Sequence, residues 1–97
     1  MINKETARSI AQSHITSHYQ APGDEIIIID DKTIERDWGW IFFYQGKNWL
    51  KTNDKRYKIL GLYPIVIEKK DSSLHYLNGG KSIEECIKEY EIRRKLV

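Results

Sequence analysis

The sequence predicts an α+β domain: an N-terminal helix, an antiparallel meander of four or five strands, and a C-terminal helix packed on the sheet in a two-layer sandwich. Three observations carry this. Apolar residues recur at helical spacing near both ends, at Ala7, Ile10, Ala11, Ile15 and Tyr19 and again at Ile83, Cys86, Ile87 and Tyr90. Between them lie short β-branched and aromatic runs separated by turn-forming residues. The stretch from Thr33 to Gln45 holds five of the chain's eleven aromatic residues, a density that marks the centre of the core in a chain of 97 residues.

The first helix is expected over residues 4–19, with Asn3 as its N-cap and Glu5 in the first turn, where the helix dipole favours an acid. Pro22 and Gly23 follow, in Ala21-Pro22-Gly23-Asp24, and stop it. The four isoleucines Ile26 to Ile29 read as a strand, because a β-branched run favours extended backbone. Asp30-Asp31-Lys32 interrupts it as a bulge or turn, leaving residues 25–37 as one bulged strand or two, and Thr33-Ile34-Glu35 resumes it. A reversal is expected at Arg36-Asp37-Trp38-Gly39, with Gly39 taking positive φ. Trp40 to Gln45 is the strongest strand, apolar on both faces and therefore central.

Gly46 to Asp54 is polar and expected to be a loop, and Tyr57 to Leu62 a further extended stretch. Pro64 suits the start of the strand Ile65-Val66-Ile67. A turn at Lys69 to Ser73 leads to Leu74-His75-Tyr76-Leu77, which exits at Asn78-Gly79-Gly80. The last helix spans 83–95, opened by Ser82 and Glu85 in the spacing of a capping box. Glu84 and Lys88, Glu89 and Arg93, and Glu91 and Lys95 are acid-before-base pairs four apart, each worth about 0.2–0.5 kcal/mol. The helices cover either the Trp40, Phe42 and Tyr44 face together or one face each.

The chain is expected to be a single domain over residues 1–97, burying about 60–65% of its unfolded surface. With 40% hydrophobic and 31% charged residues it falls in the range of soluble proteins. A net charge of +2, with bases and acids interleaved, makes no stripe for nucleic acid. The single cysteine, Cys86, allows no internal disulfide, and no apolar run reaches the length of a signal peptide or membrane span. A cytoplasmic protein with no membrane or nucleic-acid partner is expected.

No pattern of residues demands catalysis, a metal or a cofactor. His14 and His18 are four apart but lack both a third ligand nearby and an intervening catalytic glutamate. Cys86 lies on the apolar helix face, where a thiol is inert. Gly79-Gly80-Lys81-Ser82 has the tail of a phosphate-binding loop, but Leu74 stands where the first glycine belongs. Asp30, Asp31, Glu35 and Asp37 form an acidic patch beside the aromatic strand. They read as solvated turn residues, as a rim that attracts a basic partner, or as a carboxylate pair for acid–base work.

The run Thr33-Ile34-Glu35-Arg36-Asp37-Trp38-Gly39-Trp40-Ile41-Phe42-Phe43-Tyr44 resembles the signature of the YrhB-type domain, also called the immunity protein 35 family, of bacterial polymorphic toxin systems. Lys4 to Ala11, Leu60-Gly61 with Pro64 to Ile67, and Ile83 to Glu91 are similar to its other segments, so the resemblance covers nearly the whole chain. Ser72 stands where that pattern has glycine, which predicts a different type of final hairpin turn, and Leu62 where it has asparagine. The resemblance implies a non-enzymatic immunity protein whose partner is a cognate toxin encoded by a neighbouring gene. A chaperone-like holder of unfolding clients is the alternative. The aromatics least needed in the core, Trp38 in the turn and Trp49 in the polar loop, join Glu35 and Asp37 as the expected partner-binding residues.

Overall fold

The structure, a computed structural model, describes residues 2–19, 22–77 and 82–95. Helix α1 spans Lys4–His18, and the Asn3 side chain accepts a hydrogen bond from the Thr6 N–H at 2.8 Å, as its N-cap position requires. Strands β1 (Ile26–Ile28), β2 (Ile34–Arg36), β3 (Gly39–Phe42) and β4 (Tyr44–Gly46) follow. Helix α2 spans Lys47–Thr52, then come β5 (Ile65–Glu68), β6 (Leu74–Tyr76) and helix α3, Ile83–Lys95. The helix–strands–helix order is the expected α+β architecture. Ala21 and the strand exit at Asn78-Gly79-Gly80 lie outside the described residues.

One antiparallel sheet has the order β2-β3-β5-β6, and β1 pairs with β4 beside it. β3 and β4 are one run of chain broken only at Phe43. The Ile29 N–H donates to the Phe43 carbonyl at 2.8 Å, linking the two ladders. Asp30–Lys32 forms a 3-10 turn opposite this break, so residues 25–37 are two strands around an insertion. Acids that cannot sit comfortably in a ladder are thereby extruded from it.

Alternation along β3 decides where the helices go. Trp40 and Phe42, with their cross-strand partners Ile67 and Ile65, face Ala7, Ala11 and Ile15 of α1. Ile41 and its partner Val66 face Cys86, Ile87 and Tyr90 of α3. The sheet therefore lies between the helices, one on each face, and the layers number three instead of the expected two. The reason is that both parities of β3 and β5 are apolar, so each face needs its own cover.

Gly39 differs from expectation in its purpose. Its φ is not positive; among the described residues the positive-φ glycines are Gly23 and Gly61. A Cβ at Gly39 would overlap the Ile67 carbonyl oxygen and meet Glu68 Cα at 3.2 Å, so the residue is glycine because β5 passes too close for a side chain.

The segment between β4 and β5 also departs from its sequence reading. Residues 47–52 are helical, not a loop, and close on Asn53 in the left-handed region at φ 57°. Residues 57–62 join no ladder, and Lys55–Tyr57 is a 3-10 turn. The Gln45 side chain does a strand's work there: its Oε1 accepts from the Ile59 N–H at 2.8 Å and its Nε2 donates to the Ile59 carbonyl at 3.0 Å. Gln12 does the same for β1, donating to the Ile26 carbonyl at 3.0 Å and accepting from the Ile28 N–H at 3.3 Å. Two side-chain amides thus satisfy backbone groups that no strand covers. The final hairpin keeps a tight turn despite its serine: Ser72 itself adopts the left-handed conformation, φ 61°, that glycine enters freely.

Candidate functional site

Three of the four expected partner-binding residues meet at the β2–β3 hairpin tip. Arg36 pairs with Gly39, so Asp37 and Trp38 are its two connecting residues, and Glu35 is the adjacent strand position. The Lys69 N–H donates to the Trp38 carbonyl at 2.8 Å, tying the tip to the turn after β5. Glu35, Asp37, Trp38, Lys69 and Glu91 line a shallow cavity of about 250 Å³.

The charges here are partly organised. The Lys69 ammonium lies 3.1 Å from Glu35 Oε2 and holds that exposed carboxyl below the usual glutamate range. The same ammonium sits 5.0 Å from the centre of the Trp40 ring. The buried Trp40 indole N–H closes no hydrogen bond among the described residues. Asp37 is exposed beside them.

Trp38 is half-buried, not free. Its indole N–H donates to Glu91 Oε2 at 2.9 Å, and its ring centre lies 5.0 Å from that of Tyr90. The Arg94 guanidinium stands 5.1 Å from the indole centre. One face of Trp38 therefore fastens the hairpin tip to α3, and its remaining edge forms a rigid wall of the cavity.

Trp49 lies elsewhere. It sits on α2 and lines a different cavity, of about 310 Å³, with Ile29, Phe43, Lys58 and Tyr63. The Lys58 ammonium lies 5.4 Å from its ring centre. Leu60 is 81% exposed and Tyr63 49% exposed on the neighbouring connection.

The acidic patch of the sequence is divided. Asp30 is held by Arg8 of α1, whose Nε and Nη2 donate to its two oxygens at 2.7 and 3.1 Å. That bond keeps the Asp30 carboxyl ionised and low, and it does not share the cavity of Glu35 and Asp37. His14 and His18 stack with ring centres 3.9 Å apart. His14 Nε2 hydrogen-bonds with the Tyr76 hydroxyl, and His18 Nδ1 with the His14 carbonyl. Among the described residues no group of three or more His, Cys, Asp or Glu is placed to hold a metal ion.

Sequence reasoning missed Glu68, which is 2% exposed at the end of β5. Arg94 donates to both its oxygens, at 2.7 and 2.8 Å, and the Tyr90 hydroxyl donates to Oε2 at 2.5 Å. Burial opposes its charge, but the Arg94 and Tyr90 bonds outweigh burial and hold its pKa below the ordinary value. The signal was present. Glu68 shares strand parity with Val66 on the α3 face, and Tyr90 and Arg94 are four apart on one helix face.

The family model for immunity protein 35 matches residues 5–90. The chain is 32% identical to the uncharacterized protein YrhB of Escherichia coli (strain K12) over 56 residues, 58% of this chain and 60% of that protein. The match thus spans less than two thirds of that relative. No solved structure matches the chain. No helix among the described residues is long and apolar enough to cross a membrane. The match to the family model begins in α1, takes in α2, every strand and the hairpin tip, and ends within α3, and the chain belongs to the immunity protein 35 family.

Proposed function

We propose that this protein is a cytoplasmic immunity protein that neutralises a cognate toxin of a polymorphic toxin system by direct contact, without catalysis. The family match over residues 5–90 carries the reading. The hairpin-tip cavity supports it: Trp38 is a rigid aromatic edge, and Glu35 and Asp37 add exposed acids beside it. A held aromatic flanked by charge is the arrangement in which a few anchors supply most of the binding energy. Trp49, with the exposed Leu60 and Tyr63 nearby, is a second contact candidate.

The experiment is co-expression with the toxin gene encoded beside this one, followed by affinity capture and a growth assay. A stable complex and restored growth are expected. A neighbouring toxin that neither binds nor is neutralised overturns the pairing. Exposed Leu60, Tyr63 and Tyr57 on one connection also suit the alternative, a chaperone-like holder of unfolding clients. Suppressed aggregation of unrelated heated proteins would favour that reading, and unchanged aggregation would remove it.

A further inference from the structure

A third cavity, of about 590 Å³, lies where α3 meets the turn between β5 and β6. Its lining includes Lys70, Ser73, His75, Tyr90, Arg93 and Arg94, with Glu68 as its buried floor. Two acids and three cations line it, an excess of one positive charge. Glu68 is taken by Arg94 and Tyr90, and Asp71 keeps its charge beside Lys70 while accepting from the Ser73 N–H at 3.0 Å to form the turn. Lys70 and Arg93 are exposed, and the Arg93 guanidinium extends over the Tyr90 ring at 5.9 Å. Ser73 Oγ and His75 Nε2 are 2.8 Å apart on the β6 side and add polar groups to the same lining.

We propose that this cavity receives an acidic segment of the bound partner protein, with Lys70 and Arg93 pairing its aspartate or glutamate side chains. Charge complementarity points to an anion. The size of the site points to a segment and not a small ion, because a space of about 590 Å³ far exceeds one small anion. Here the donors are long side chains from two separate elements, around a space that holds several side chains. The floor is rigid, since Arg94 is fixed by its two bonds to Glu68. Tyr90 touches both His75, at 5.9 Å between ring centres, and Trp38, at 5.0 Å. The basic cavity and the Trp38 groove therefore adjoin α3 and fit one docking face. This inference rests on the toxin-binding reading for the identity of the partner.

The test is titration of the isotopically labelled full chain with a hexaglutamate peptide, followed by NMR, with inorganic phosphate and a hexalysine peptide as separate arms. Saturable shifts at Lys70, Ser73, His75 and Arg93 with hexaglutamate alone are expected. The exposed-site double variant Lys70→Glu/Arg93→Glu should weaken them about tenfold, and Lys70→Gln/Arg93→Gln by less. Equal shifts with phosphate at the same concentration, or none with hexaglutamate, overturn the proposal. Toxin affinity unchanged in the charge-reversed variant also overturns it while leaving toxin binding intact. Hexaglutamate binding by a protein that ignores every neighbouring toxin would instead sink the immunity reading and leave the cavity's chemistry standing.

Discussion

Arg94, in the last turn of α3, donates two hydrogen bonds to Glu68, the last residue of β5, at 2.7 and 2.8 Å. The carboxylate is almost wholly out of water, and the guanidinium is about a quarter exposed. Buried ion pairs of this kind are weak sources of net stability but costly to break, because the surviving charge is left without a partner. Arg94→Ala should therefore destabilise the fold by about 3 kcal/mol, measured by urea denaturation, with α3 released first. The pair also sets an acid limit. The Glu68 pKa is lowered in the folded protein, so the stability it contributes is present above the ordinary glutamate value of 4.5 and is lost as pH falls below it. The double variant Glu68→Leu/Arg94→Leu should show a shallower loss of stability below that pH.

Gly39 of β3 and Ser72 of the β5–β6 turn make opposite predictions. Gly39→Ala forces a Cβ into the β5 backbone and should cost about 2 kcal/mol, since neither strand can move without breaking the Trp40 and Ile67 register. Ser72→Gly should raise thermal stability by about 0.5–1 kcal/mol, because a non-glycine residue at φ 61° carries left-handed strain. Calorimetric midpoints of the two variants, moving in opposite directions, check both.

Gln12 places a single amide on two backbone groups of β1. Gln12→Ala leaves the Ile26 carbonyl and the Ile28 N–H without protein partners and should cost about 1–2 kcal/mol. Amide hydrogen exchange should quicken at Ile28 while Ile67, in the middle of the larger sheet, is unaffected.

At the hairpin tip, Glu35→Lys/Asp37→Lys should leave the fold intact, since both side chains are exposed. If the groove meets a basic toxin surface, the association rate should fall about tenfold at low salt and the difference should shrink as salt is added. Stopped-flow association with the neighbouring toxin reads this. An unchanged rate would place the interface elsewhere.

His14 bears on pH in a second range. Desolvation, followed by repulsion from His18, lowers its pKa below 6.5. The unfolded chain therefore binds the proton more readily, and the stability due to neutral His14 is present above pH 6.5 and lost as pH falls through the folded value. His14→Phe should flatten the stability profile below pH 6.5.

α1 and α3 were legible because each has a cap and an apolar stripe, and a stripe at a 3.6 period needs no partner to be recognised, whereas the short α2 has neither and read as a loop. α3 runs over 83–95 as its spacing predicts, and the resemblance at Thr33 to Tyr44 identified the family. The fold class followed from the same signals. Tertiary structure decided the rest, because it depends on what lies opposite. Nothing local to Gly39 states that Ile67 passes within contact distance. Nothing local to Gln45 states that its amide replaces a strand at Ile59. Trp38 and Trp49 looked alike as spare aromatics, yet Glu91 and Arg94 of α3 hold one at the hairpin tip while α2 carries the other to a separate cavity. Chain periodicity thus determined α1, α3 and the central strand. Packing across the sheet determined one helix per face, the buried Glu68 and Arg94 pair, and which exposed groups share a surface.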